Sequence, residues 1–269
     1  SWSVIESIQM SEQALKNVAQ ALRLDPGNEA YLKTKALLHN NVASSWIARE
    51  DVARAQPHLE EARQIWETMR ESATGAEADA LDDLLGLLHI YLAMAAVGFA
   101  DDQRATEEID RALRLRREIA QRHPEVVQVQ SRLADTYEQA AIHLRKLTRY
   151  DDALIALNEM LKIYRKLHEQ QPTVPAYQSG LAQGMLEMAV TQFAMGAMKE
   201  GLTSLEQALQ RSQKLVDQDP DQYEYLRLQA ISRYYRGLGL LEEGSNEAAY
   251  ETLNLAAKEL KALTDERPH

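Results

Sequence analysis

Seven histidines, His39, His58, His89, His123, His143, His168 and His269, are the side chains best able to hold a metal or move a proton near neutral pH. No two of them lie three to five residues apart, so no single helix offers a chelating pair. They are therefore expected at surface or loop positions. The chain has no cysteine, which removes thiolate and disulfide chemistry and fits a reducing compartment. Gly237-Leu238-Gly239 has no strand before it and lies inside a helical pattern, so it is read as a packing site rather than a phosphate loop. The acidic pairs Asp82-Asp83, Asp101-Asp102 and Asp151-Asp152 invite comparison with catalytic carboxylates. The latter two stand at predicted helix starts, where acids cap N–H groups and meet the positive end of the helix dipole. No nucleophile–base pair, metal set or phosphate cradle emerges, so the expectation is no catalytic residue, no metal, no cofactor and no enzymatic activity.

Charge narrows the partners. Arg111, Arg114, Arg116, Arg117 and Arg122 form one basic group, and Lys162, Arg165 and Lys166 another at the matching place further on. Both fall late in predicted helices, where cations complement the negative end. The formal net charge of −11 argues against nucleic acid and anionic membrane as partners. No apolar run is read as long enough to span a membrane, and no signal peptide is visible.

What must position these residues is a repeat. Pro124, Pro172, Pro220 and Pro268 are 48 residues apart, and each interval holds a helical pattern, a short polar break and a second helical pattern. A fixed period of this size marks stacked helical units. Small residues recur at Ala141, Ala189 and Gly237, then at Ala153, Gly201 and Ala249, with Leu157, Leu205 and Leu253 following and Leu167, Leu215 and Leu263 after them. Two helices approach closely only where neither carries bulk, and large side chains a turn away fill the space between ridges. The breaks at 149–152 and 244–246 carry turn and cap residues, and each proline is expected to open the next helix.

The columns resemble the tetratricopeptide repeat. Ala153, Leu157 and the Met160/Ala208/Ala256 column match that family's second helix, and Leu22-Arg23-Leu24-Asp25-Pro26-Gly27-Asn28 resembles one of its repeat boundaries. The family period is about 34 residues; the longer period here places about two extra turns on each helix at one end of the hairpin. Long-helix variants of this kind are similar to arrays in some bacterial signalling proteins. The family's large residue early in the first helix is held by Tyr137, Met185 and Arg233, a departure that bears on the packing of the last unit. The resemblance implies an all-α fold, a right-handed solenoid of antiparallel helix pairs. Residues 1–269 form one array: a partial repeat over 1–26, then long repeats over about 27–75, 76–123, 124–171, 172–219 and 220–267.

Within that frame residues 1–10 read as the tail of a helix, with Ser11 as the N-cap of the next. Pro57 either starts its helix near Gln56 or kinks it. Ala43, Ala55, Ala93 and Ala105 carry the small columns into the early units. Entering in mid-helix and stopping at a boundary is the expectation for a piece of a larger protein. The last helix, about 246–264, keeps Leu253, Ala256, Leu260 and Leu263 and adds Tyr250 and Leu255. Its outer face is thus expected to be covered by more chain or by a second copy, a homodimer through the C-terminal helix.

The resemblance also implies that the first helix of each pair lines a concave face that holds an extended peptide or a helix. By register the lining residues are Asp135, Glu138, Ile142, Arg145 and Lys146; then Gln183, Leu186, Val190, Phe193 and Ala194; then Ile231, Tyr234, Leu238, Leu241 and Glu242. The first set is charged and the next two are apolar. Met185, Met188, Met195 and Met198 add adaptable apolar surface, suited to a partner's amphipathic helix. The expectation is a cytoplasmic protein-interaction scaffold. The alternative is a structural spacer or dimerisation arm of a larger signalling protein.

Overall fold

The computed structural model describes residues 2–266. Among them are eleven α-helices and no strand: α1 (Trp2–Leu24), α2 (Glu29–Ile47), α3 (Val52–Ser72), α4 (Gly75–Gly98), α5 (Asp102–Arg122), α6 (Val127–Lys146), α7 (Tyr150–Gln170), α8 (Pro175–Ala194), α9 (Met198–Gln218), α10 (Tyr223–Glu242) and α11 (Asn246–Glu266). The fold is all-α, built from consecutive helix pairs. The chain divides within α6, at His143/Leu144, into two compact units.

In the first unit the pairs are antiparallel, as side-chain contacts show. Lys35 meets Glu61 and His39 meets His58, so numbers rise along α2 as they fall along α3. The small columns explain how close the helices come. Ala43, Ala55, Ala93, Ala105 and Ala141 have no exposed surface, and Leu59 and Ile109 are fully buried a turn from them. Trp66, Leu85, Leu88 and Leu92 complete the core around α3 and α4. α4 is long and apolar enough, by length and composition alone, to cross a membrane, which corrects the expectation that no such run exists. Most of its apolar stretch is buried inside the protein, because α3 and α5 pack on it from both sides.

The second unit repeats the plan. A Cβ on Gly237 would lie 2.5 Å from the Leu253 side chain, and one on Gly201 would lie 2.5 Å from the Phe193 ring. The close columns are thus points where a large residue of one helix seats on a residue of the other with little or no side chain. Gly239 receives Leu202 from α9 in the same way, so the Gly237-Leu238-Gly239 segment is packing. Arg233, the departure from the large-residue column, bonds Glu259 across the α10–α11 hairpin.

Each hairpin closes with the same backbone device. Glu50, Ala100, Thr148, Gly196 and Gly244 have φ of 61°, 56°, 56°, 78° and 77°. The next residue's N–H reaches back to a carbonyl in the last helical turn: Asp51 to Trp46, Asp101 to Ala96, Arg149 to Leu144, Ala197 to Gln192 and Ser245 to Leu240, each at 2.9 Å. This is a left-handed C-cap, and only the last two units supply the glycine it favours.

The prolines do something other than the sequence suggests. Pro26, Pro124, Pro172 and Pro220 precede the first helical residue by three. Each follows a residue whose carbonyl accepts from the N–H three residues on: Asp25 from Asn28, His123 from Val126, Gln171 from Val174 and Asp219 from Gln222. They occupy the second position of a tight turn, where a fixed φ is an advantage. The one at a helix start is Pro175. Pro268 lies outside the described residues. Ser11 is no cap, since α1 runs through it without a break. Pro57 sits inside α3, which starts at Val52. Asp51 and Asp101 do cap, accepting from Arg54 and Arg104 N–H at 3.1 and 3.0 Å. Asp151 and Asp152 instead lie in the first turn of α7, behind Arg149 as N-cap.

Candidate functional site

Four of the five arginines of the basic group on α5, all but Arg114, have partners shown within the protein. Arg116 and Arg132 both bond the Asp83 carboxylate. Asp82, almost fully buried, is held by Arg70 at 2.6 Å and lies 3.5 Å from Arg122, which also meets Asp79 at 2.7 Å. His123 joins Asp79 at 2.6 Å, and Arg117 donates to the Tyr137 hydroxyl at 2.8 Å. The Arg122 guanidinium and His123 hold the Asp79 carboxyl below its ordinary range, the hydrogen bond from His123 contributing most. The acidic pair on α4 and Arg116 and Arg122 of α5 are therefore partners in a ladder, and Arg122 also stands in the last turn of α5. The signal was in the sequence as two opposite charge runs, but pairing them needs the hairpin register.

That ladder borders a cleft of about 360 Å³ in the first unit. Its apolar lining is Leu84, Leu87 and Ile90 of α4, and its polar rim includes Asp83, Arg132 and Asp135. Leu87 is 40% exposed. Leu84, Tyr91 and Met94, half-buried, continue the same α4 face at spacings of three, seven and ten residues from Leu84 when Leu87 is counted. Burial raises the Tyr91 phenol above its ordinary range. This face lies one unit before the first lining residues expected from the sequence. Arg116 lies under it: its Nε is where a Cβ on Gly86 would come within 2.8 Å.

In that first unit Asp135 is exposed, and Glu138 and Ile142 are half-buried. In the second unit Lys146 is exposed, while Arg145 is tied to Glu187 at 2.7 Å and reaches the Thr191 hydroxyl at 3.3 Å. Gln183 donates to the same Glu187 at 3.2 Å. Leu186 is only 2% exposed and belongs to the core, so it offers no surface to a partner. Phe193 is half-buried and committed to Gly201. The reason is common to both: α8 is packed by α7, α9 and α10, so its buried face is wide and its open strip narrow. Val190, Ile231 and Leu238 are half-buried, and Ala194 and Glu242 exposed. Tyr234 and Leu241 remain 42% and 44% exposed, Tyr234 standing edge-on to Tyr235.

His123, at the C-cap of α5 with its side chain 42% exposed, is where the sequence places it; four other described histidines are not, and His269 lies outside the described residues. His89 and His143 are buried, and His39 and His58 are partly so. His39 and His58 meet Nδ1 to Nδ1 at 2.9 Å across α2 and α3. One unit on, His89 meets Glu108 at 2.5 Å across α4 and α5. The separation is 19 residues in both pairs and the pairs are 50 residues apart, so they are one rung of the repeat. His39 and His89 stand in the column of Tyr137, Met185 and Arg233. Burial pushes His39 down to about 4 and lowers His58. Glu108 stays below the ordinary carboxylate range although burial opposes it, because His89, Arg111 and Arg63 surround it.

No protein-family model matches the chain, and no curated protein matches it. Solved structures do. BtubC (BKLC) from P. vanneervenii aligns over 99% of this chain and 94% of its own, at 15% identity and a TM-score of 0.67. MamA from Desulfovibrio magneticus RS-1 aligns over 84% and 96%, at 17% identity and a TM-score of 0.37. The C-terminal part of a TPR repeat-containing protein from Cytophaga hutchinsonii aligns over 97% and 96%, at 14% identity and a TM-score of 0.33. The first likeness is one of fold, along almost the whole of both chains. What it shows is the all-helical fold of stacked helix pairs.

Proposed function

We propose that the chain is a non-catalytic protein-interaction scaffold whose first-of-pair helices hold a peptide or amphipathic helix of a partner. The observation that carries this reading is the apolar strip left open on those helices in each unit. In the first unit it is Leu84, Leu87, Tyr91 and Met94, edged by Arg132 and Asp135. In the second it is Val190, Ile231, Tyr234, Leu238 and Leu241. Apolar side chains with a charged edge suit a partner helix with one apolar face. Asp135, Glu138, Ile142, Arg145 and Lys146 would supply the polar part of the same surface. The test is capture of partners by the wild type beside Leu87→Asp and Val190→Asp. Loss of the captured species with unchanged far-UV dichroism supports the reading; retention in both variants overturns it.

A second reading, self-association through α11, is favoured by Tyr250 and Leu255, which are 70% and 47% exposed. In that case the chain is a dimerisation arm. A reducing, cytoplasmic setting agrees with the absence of cysteine.

A further inference from the structure

We propose that Arg165 of α7 and Arg211 of α9 form a binding site for a phosphate ester dianion, carried on a phosphorylated side chain of a protein partner. Both residues lie in the second unit, and each breaks a column of the repeat. The column of Arg211 holds Ile65, Leu115 and Ile163, all half-buried, and Ile65 and Leu115 pack against the core around α3 and α4. At this aliphatic position α9 places a guanidinium. Arg165 stands in the column of Arg117 and Gln213, which reaches forward to the first helix of the next pair. There Arg117 donates to the Tyr137 hydroxyl at 2.8 Å, and Gln213 accepts from Gln229 at 2.7 Å and from Arg233 at 3.4 Å. By the same register the counterpart of Arg165 is Met185, whose thioether is only a weak acceptor.

The pair is left without a counter-charge. The other half-buried arginines of the second unit each bond a glutamate: Arg145 to Glu187, Arg227 to Glu224, Arg233 to Glu259 and Arg236 to Glu206. Among the described residues no carboxylate pairs with Arg165 or Arg211. Glu169, one turn beyond Arg165, is exposed and makes no ion pair with it among those residues. Burial and then the Arg165 charge lower the Arg211 guanidinium below its ordinary range, so the two cations stand close enough to repel. Lys166, beside Arg165, and Lys214, one turn from Arg211, are exposed and add to the positive field. A single carboxylate would neutralise one guanidinium and leave the other. A phosphorylated side chain carries about −1.5 to −2 charge and three acceptor oxygens, which matches two guanidinium forks. That the phosphate arrives on a protein rests on the scaffold reading above; the match of a dianion to the arginine pair does not.

The experiment is fluorescence anisotropy of the full chain with a labelled glycine-rich peptide carrying one phosphoserine, beside the same peptide with serine or glutamate in its place, and with inorganic phosphate as competitor. The wild type should bind the phosphoserine peptide, and the serine and glutamate peptides about tenfold or more weaker. Arg165→Gln and Arg211→Ile should each weaken phosphopeptide binding by about tenfold or more. Arg211→Ile restores the aliphatic side chain that α7 carries at this position, so it is expected to fold; should it not, Arg165→Gln, at an exposed position, decides. Leu87→Asp should bind the phosphopeptide as the wild type does, which separates this site from the apolar strip of the first unit. No binding by the wild type, or undiminished binding by Arg165→Gln/Arg211→Ile, would overturn the proposal. Equal binding of the glutamate peptide would overturn the phosphate assignment, and inorganic phosphate competing as tightly as the unlabelled phosphopeptide would overturn the protein source.

Discussion

At the residue scale the repeat rests on positions where side-chain volume is forbidden. Ala153 has no exposed surface, and the equivalent Gly201 is filled by the Phe193 ring. Ala153→Leu is therefore expected to overpack its site and to cost roughly 1–3 kcal/mol. Chemical denaturation with an unchanged m-value would measure it, and an unaltered midpoint would show that this column is not a close contact. Titration gives a second prediction. His39 is pushed down to about 4 from an ordinary 6.5, and His58 is lowered too. The unfolded chain then binds more protons than the folded one as pH falls from about 6.5 towards 4, so stability declines over that window. Glu61 and Glu12 favour protonation of the pair and Lys35 opposes it, without reversing the direction. Melting temperatures across this range should fall steeply in the wild type and less so in His39→Asn. Parallel curves would assign the loss elsewhere.

At the element scale the recurring feature is the hairpin turn. Its left-handed residue costs a side chain about 1–2 kcal/mol relative to glycine, and β-branching worsens the fit. Thr148 is exposed with φ of 56°. Thr148→Gly should stabilise the protein by about 0.5–1 kcal/mol after the extra freedom of glycine in the unfolded state is subtracted. A lower melting temperature in this variant would contradict the turn geometry. Ala100→Gly offers the same comparison one unit earlier, at φ of 56°.

At the scale of the whole chain, the last helix bears on the second reading, self-association. Leu253 packs on Gly237, and Ala256 and Leu263 are buried, so these columns serve their own hairpin. Leu202 shows which position of a second helix faces the following unit, because it packs on Gly239. One period later that position is Tyr250, the most exposed aromatic side chain described. The neighbouring outward positions Asn254, Lys258 and Lys261 are polar and exposed. The apolar outer face expected from the sequence thus shrinks to Tyr250 and Leu255. If these two join copies, light scattering across a dilution series should show dimers for the wild type and monomers for Tyr250→Glu and Leu255→Glu. Monomers throughout would remove self-association.

The helices, their pairing and most of the buried columns were legible in the sequence, because helical spacing and a fixed period are local and repeat. Ala141, Ala153, Leu157 and Leu205 could be named as close-packed from their recurrence alone, and all are buried. The candidate site was legible only as a register. Which lining residues stay open depends on how many neighbours enclose each helix, so Leu186 went to the core and Phe193 to Gly201, while the α4 face at Leu87 stayed open. Pairing of charges was decided by tertiary structure for the same reason. Residues 19 or 33 apart, such as His39 with His58 or Arg116 with Asp83, become neighbours only when two antiparallel helices fix their relative slide. Turn conformation, too, was set by closure of the hairpin, which forces Glu50, Ala100 and Thr148 into a backbone region that their side chains disfavour.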